Sequence, residues 1–154
     1  MIMTPKPIHR LRGQRTSMSA TWTYGASITR DGDDFVVSVR DLPEAVTSGS
    51  TQEEALELAA DAIAVIVEGR MEDNEALPLP SPVRKGEHAV ALPAHLAAKA
   101  AVYTAWKEAG VSKSELARRL RRNETEVRRI LDPHQLEEAA RALGGRLVVS
   151  FEAA

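Results

Sequence analysis

The sequence predicts an α+β fold in two units: a small antiparallel sheet packed by one long helix, then an all-α unit closed by a strand. Three observations predict it. Residues 21–40 alternate apolar and polar side chains about an Asp-Gly pair, the period of two that marks a hairpin. Residues 50–70 repeat their apolar side chains at helical spacing behind a capping sequence. Residues 111–131 hold two short apolar-periodic segments with a polar break between them, carrying seven Lys or Arg against three Glu.

In order along the chain, residues 1–17 have no periodicity, two Pro and four positive charges, and are expected to be a disordered basic tail. Met18 offers a plausible alternative start. In "TWTYGASIT", Trp22, Tyr24, Ala26 and Ile28 share one strand face. Asp31-Gly32 supplies the turn, and "FVVSVR" returns with Phe35, Val37 and Val39 facing one way. "DLPEAVTSG" is read as a Pro turn followed by a short third strand around residues 45–48. The helix in "STQEEALELAADAIAVIVEGR" opens with a capping box, Thr51 with Glu54. Its apolar stripe is Ala55, Ala59, Ala62, Ile63, Ile66 and Val67, with Glu53, Glu57, Asp61 and Glu68 turned away. It should lie across one face of the sheet. "NEALPLPSPVRKG" is an extended Pro-rich connection, and "HAVALP" a short strand suited to return as the fourth. These elements define a first unit over 18–92 and a second over 93–154, with the boundary near Pro93.

The second unit begins with a helix in "AHLAAKAAVYTAWKEAG", its faces marked by Leu96, Ala100, Tyr103 and Trp106 or Lys107, ended by Gly110. "HQLEEAARALGG" reads as the last helix, stopped by Gly144-Gly145, and "RLVVSFE" as a final strand, a candidate for pairing across a two-fold axis.

Composition narrows the function. There is no Cys, so disulfides and thiolate metal sites are excluded, and the four His have no ligand spacing. No apolar run approaches a membrane span and no secretory signal is present, so the reading is a cytoplasmic protein without a membrane partner or cofactor. The net charge of −2 conceals a division. Residues 18–92 carry five basic and fourteen acidic side chains, and residues 93–154 eleven basic and eight acidic. Such polarity points to two partners of opposite charge.

The basic stretch has the form of two helices about a tight turn. Ser112 with Glu115 makes a capping box for the first, which buries Leu116, Ala117 and Leu120. Asn123 with Glu126 repeats it for the second, which buries Val127, Ile130 and Leu131. This is a helix-turn-helix, whose second helix offers its outer face to base edges. That face is Glu124, Thr125 and Arg128, with Arg129 at its edge. Arg118, Arg119, Arg121 and Arg122 are placed for phosphates, which set register and salt dependence. A packed helical hairpin with a merely basic surface is the bland alternative. Two half-sites are needed for specific affinity, so a homodimer or higher homo-oligomer is expected.

The run Leu116 to Leu131 resembles the Cro/repressor-type helix-turn-helix in register. That family usually has Gly at the turn, where the chain is left-handed; this chain has Arg121, at a cost on the order of 1 kcal/mol. An apolar residue commonly follows, and here it is Arg122. The first unit, through Tyr24, the Asp31-Gly32 turn, "VRDLPEAVTSGST" and "EEAL", closely resembles the HicB antitoxin family. The resemblance covers about residues 20–152. It implies a partial ribonuclease-H-like sheet in an acidic domain that binds and covers a HicA-type ribonuclease toxin. It also implies a second domain that binds operator double-stranded DNA and represses the toxin–antitoxin operon.

Two further readings stand beside this one. Asp31, Asp33, Asp34 and Asp41 lie near one another on the hairpin, and paired carboxylates can hold Mg²⁺ for nuclease chemistry. Three of them sit in a turn, where Asp is favoured locally, so no catalytic or metal-binding residue and no enzyme activity is assigned. These four carboxylates are instead candidate toxin contacts. Trp22 and Tyr24 are candidate toxin anchors as well, or else fill the core under the helix. The alternative function is a stand-alone transcription regulator whose first unit senses a ligand or is degenerate.

Overall fold

A computed structural model describes residues 22–127 and 135–145. The basic tail, Arg128, Arg129, Ile130, Leu131 and the segment "RLVVSFE" lie outside the described residues. The hairpin forms as β1 (Thr23–Asp31) and β2 (Asp34–Val39), antiparallel, with Asp31 opposite Asp34. The loop is therefore Gly32-Asp33, one residue later than the Asp-Gly pair suggests. Gly32 has φ +62°, and a two-residue hairpin loop with Gly first suits the twist of the strands.

The third strand, β3 (Leu42–Gly49), is longer than expected and includes Pro43. The chain turns at Arg40-Asp41, not at the proline. β3 is an edge of the four-stranded sheet, ordered β3-β2-β1-β4, and an edge strand tolerates a residue without an N–H. The pairing shifts register at Ser38/Val39. The other edge is β4 (His88–Ala91), the fourth strand expected from "HAVALP", and it pairs antiparallel to β1.

Between β3 and β4 runs α1 (Gln52–Glu72). Thr51 accepts a hydrogen bond from Glu54 N–H at 3.1 Å, which is the cap the sequence indicated. The returning carboxylate of Glu54 accepts from Ser50 N–H at 2.9 Å and from Ser50 Oγ at 2.7 Å, with the N–H of the cap residue Thr51 a lesser contributor. Two further contacts fix this corner. Thr47 Oγ1 donates to the Ala55 carbonyl at 2.9 Å. Gly49 is bare because a Cβ there would stand 2.8 Å from Ala55 N. The inner face of α1 buries Ala55, Ala59, Ile63, Val67 and Met71 on Tyr24, Ala26, Val37, Val39 and Leu42. Ala62 and Ile66, at the margins of the expected stripe, are half-buried.

The Pro-rich connection is held by polar anchors. Tyr24 Oη donates to the Pro78 carbonyl at 2.8 Å. Asp41 accepts from Ser81 N–H at 2.8 Å and from Ser81 Oγ. Arg40 donates to Glu87 through two nitrogens, at 3.0 and 2.8 Å, and also reaches Ser81 Oγ and the Pro82 carbonyl. This fork lies over Gly25, where a Cβ would stand 2.6 Å from Glu87 Oε1.

Among the described residues, four helices follow β4. α2 (Ala94–Ala109) ends at Gly110, which is left-handed as expected. α3 (Lys113–Leu120) follows. Next come α4, described over Glu124–Val127, and α5 (Leu136–Ala142). α2 serves two cores. Leu96, Ala100 and Tyr103 join the sheet's core, while Val102 packs with Leu116, Ala117, Leu136, Ala139 and Ala140. Tyr103 Oη donates to the Glu75 carbonyl at 2.6 Å, which fastens α2 to the segment leaving α1. Among the described residues, no helix is long and apolar enough to cross a membrane.

The Arg40–Glu87 fork generates a pH prediction. The hydrogen bond from Arg40 is the chief cause holding the Glu87 carboxyl down at about 2, and Arg84 N–H adds to it. A carboxylate depressed by folding stabilises the protein above its ordinary range, and that contribution is lost as pH falls towards the folded value. Glu87→Gln should therefore melt below the parent at pH 7. The gap should close between the ordinary 4.5 and about 2. A gap in melting temperature that stays constant down to pH 2 would show that charge is not what Glu87 contributes.

Candidate functional site

The sheet unit presents the candidate carboxylates at two places. Asp31, Asp33 and Asp34 crown the β1–β2 turn and are exposed. Asp41 lies beyond the far end of β2, a strand of six residues and hence about 20 Å long. The proximity on the hairpin inferred from sequence is therefore corrected: chain neighbours along a strand are far apart in space. Asp41 is also half-buried and engaged by Ser81, so it positions the Pro-rich connection. Among the described residues, no group of three or more His, Cys, Asp or Glu converges as metal ligands would.

Trp22 and Tyr24 stand in the core, and Tyr24 is 0% exposed. Of the two roles considered for them, the structure displays the packing one, because β1 directs alternate side chains under α1. Burial, with the charge of Asp41 adding to it, pushes the Tyr24 phenol well above its ordinary range, so it stays a neutral donor to Pro78.

In the helical unit, Ser112 accepts from Glu115 N–H at 3.1 Å and so caps α3. Glu115 does not return the bond to the cap. Its carboxylate pairs with Arg118 at 2.8 Å and Arg119 at 3.1 Å. The turn is left-handed at Arg121, with φ 54° and ψ 42°. Arg121 N–H donates to the Arg118 carbonyl and Arg122 N–H to the Ala117 carbonyl, which satisfies the end of α3. An arginine thus takes the conformation that favours glycine, because these two bonds and the packing of Ala117 and Leu116 impose it.

The described candidate nucleic-acid contacts lie in α3, at this turn and at the start of α4, and differ in their partners. Arg118 is 76% exposed at its side chain. Arg122 pairs with Glu138 of α5 at 2.8 Å. The Arg121 guanidinium has no ion pair among the described residues. Glu124 accepts from Ser114 Oγ at 2.6 Å, and Thr125 Oγ1 donates to Asn123 at 2.7 Å. The Ser114 bond draws the Glu124 carboxylate towards the start of α3. Exposed ion pairs of this kind contribute about 0–1 kcal/mol, so phosphates can exchange for their carboxylates at little cost.

Residues 23–101 match a family described as HicB-like antitoxin of bacterial toxin-antitoxin systems. The chain belongs to this family. The antitoxin HicB of Escherichia coli K12 is 36% identical over 119 residues, covering 73% of this chain and 86% of that protein. Antitoxin HicB 1 of Photorhabdus laumondii is 39% identical over 124 residues, covering 77% of this chain and 79% of the relative. Antitoxin HicB of Pseudomonas fluorescens is 33% identical over 143 residues, covering 88% of this chain and 98% of the relative. A span that long takes in α3 and α4 wherever it begins. An antitoxin role follows, with a toxin as the kind of partner.

The family match also takes in the first half of α2, beyond the boundary read near Pro93, as expected of a helix that fills the sheet's core. Sequence reasoning missed this sharing and the Arg40–Glu87 fork. The signal for the first was an apolar residue, Val102, off the Leu96–Ala100–Tyr103 face. The fork had no local signal, since its partners are 47 residues apart.

The left-handed turn yields a test. Arg121→Gly should stabilise the protein by about 0.5–1 kcal/mol, a rise of about 1–4 °C in melting temperature. An unchanged or lower melting temperature would show that Arg121 contributes contacts worth more than its backbone strain.

Proposed function

We propose that this antitoxin neutralises a HicA-type ribonuclease toxin through its acidic sheet unit. We further propose that it represses its own operon by binding operator DNA through a helix-turn-helix made of α3, the Arg121 turn and α4. The observation that carries the reading is a division within one chain of the antitoxin family. Fourteen acidic side chains belong to residues 18–92, and the arginines flank a tight turn between two helices.

The proposed roles follow from the sequence pattern, supported by the exposure of the residues that are described. Arg118, Arg119, Arg121 and Arg122 contact phosphates, exchanging weak internal pairs for charge-assisted bonds. By the helix-turn-helix pattern of the sequence, Glu124, Thr125 and Arg128 form the reading face with Arg129 at its edge, and Thr125 and Arg128 are assigned to bases. Asp31, Asp33 and Asp34 contribute to attraction of a basic toxin. Two copies supply two half-sites, as a homodimer or higher homo-oligomer.

Two measurements test this. Titration of an operator fragment across salt should give a log–log slope that falls by about one unit for Arg118→Ala, equally on all sequences. Arg128→Ala should cost about 1–3 kcal/mol and relax preference at one base position. Co-expression with the product of the neighbouring reading frame should relieve growth arrest and co-purify it. Operator binding without any such relief would favour a stand-alone regulator, and failure of both would overturn the proposal.

A further inference from the structure

The inner face of α1 accounts for Ala55, Ala59, Ile63 and Val67, but two large apolar residues of the helix point away from it. Leu58 is 42% exposed and Val65 is 68% exposed. They are seven residues apart, two turns, and so fall in one row on the solvent side. Single exposed apolar residues are ordinary, but two in register on a helix otherwise so regular form a face.

Beside that row lie Glu57, Asp61, Glu68 and Glu72, all exposed. They occur as two pairs four residues apart, and like charges at that spacing repel one another and destabilise a helix. Among the described residues none of the four has an ion pair. Arg70, the one basic residue of α1, is turned to Glu44 of β3. The helix therefore keeps an apolar row and an uncompensated acidic row side by side, both facing out.

We infer that this face of α1 is the docking surface for the toxin, taking a cationic protein surface that sets apolar side chains on Leu58 and Val65 and Lys or Arg against the acidic row. This rests on the antitoxin reading above and deepens it by naming the surface. Charge selects the occupant. A second copy of this chain would bring the same acidic row close to itself, and like charges brought together across an interface oppose association. A cationic partner removes the repulsion within the helix as it buries the apolar row. The surface needs no rearrangement of the core, whereas Trp22 and Tyr24 could be reached only by opening it.

The test uses the full-length protein and a tagged, co-expressed product of the neighbouring reading frame. Leu58→Asp with Val65→Asp, and separately Asp61→Lys with Glu68→Lys, should each weaken capture by at least about tenfold. The charge-reversed pair should also flatten the dependence of binding on salt. Both substitute exposed positions, and circular dichroism and operator binding, which should be unchanged, report folding. If the parent captures the partner and both variants do so within about twofold, the surface is wrong while the antitoxin reading stands. If the variants instead alter sedimentation of the protein alone, the face joins copies of the chain and the inference is overturned. If the parent captures nothing, the antitoxin reading falls and the inference with it.

Discussion

Everything in the architecture is tied to the double duty of the helix Ala94–Ala109. Its Leu96, Ala100 and Tyr103 complete the core beneath the sheet, and its Val102 belongs to the core of the helices that follow. A helix has enough circumference to serve two apolar clusters only if its remaining surface is narrow and its neighbours are fixed. The Tyr103 bond to Glu75 and the Lys107 bond to the Asn74 carbonyl supply that fixation at the exit from α1. The acidic unit and the arginine-bearing unit are thereby joined through packed side chains.

The division of charge gains its meaning from this joining. On the sheet unit, negative charge is spread over a turn and the outer surface of α1. On the helical unit, positive charge gathers at the turn after α3. Within each unit the opposite charges that exist are used locally. Arg40 holds Glu87, Arg70 holds Glu44, and Glu115 serves two arginines at once. What remains uncompensated faces outward, acidic on α1 and basic at Arg121. Exposed pairs are weak and exchangeable, so the arginines stay available to a stronger anion.

The residues that mark the family signature prove to be builders of one corner. Thr47, Gly49, Thr51 and Glu54 bring the end of β3 onto the first turn of α1, by two side-chain bonds, a cap and a missing Cβ. Asp41 secures the Pro-rich connection in the same way. A signature of this kind identifies the fold that carries the interaction surfaces, and it leaves the surfaces themselves to residues with no special spacing.

What the sequence by itself determined was local. Strand alternation around Trp22–Ile28, the caps at Thr51 and Ser112 and the left-handed end at Gly110 follow from neighbours within a few residues, and the separation of charge is read by counting along the chain. Hydrogen bonds and side-chain periodicity act over that range, so they are written in the order of residues. Tertiary structure alone decided that Asp41 stands a strand's length from Asp34 and that Pro43 lies in an edge strand. It also decided that α2 fills two cores and that Leu58 and Val65 are left outside. Each of these depends on which surfaces meet across long chain separations, and burial is a property of that meeting, not of any residue's place in the chain.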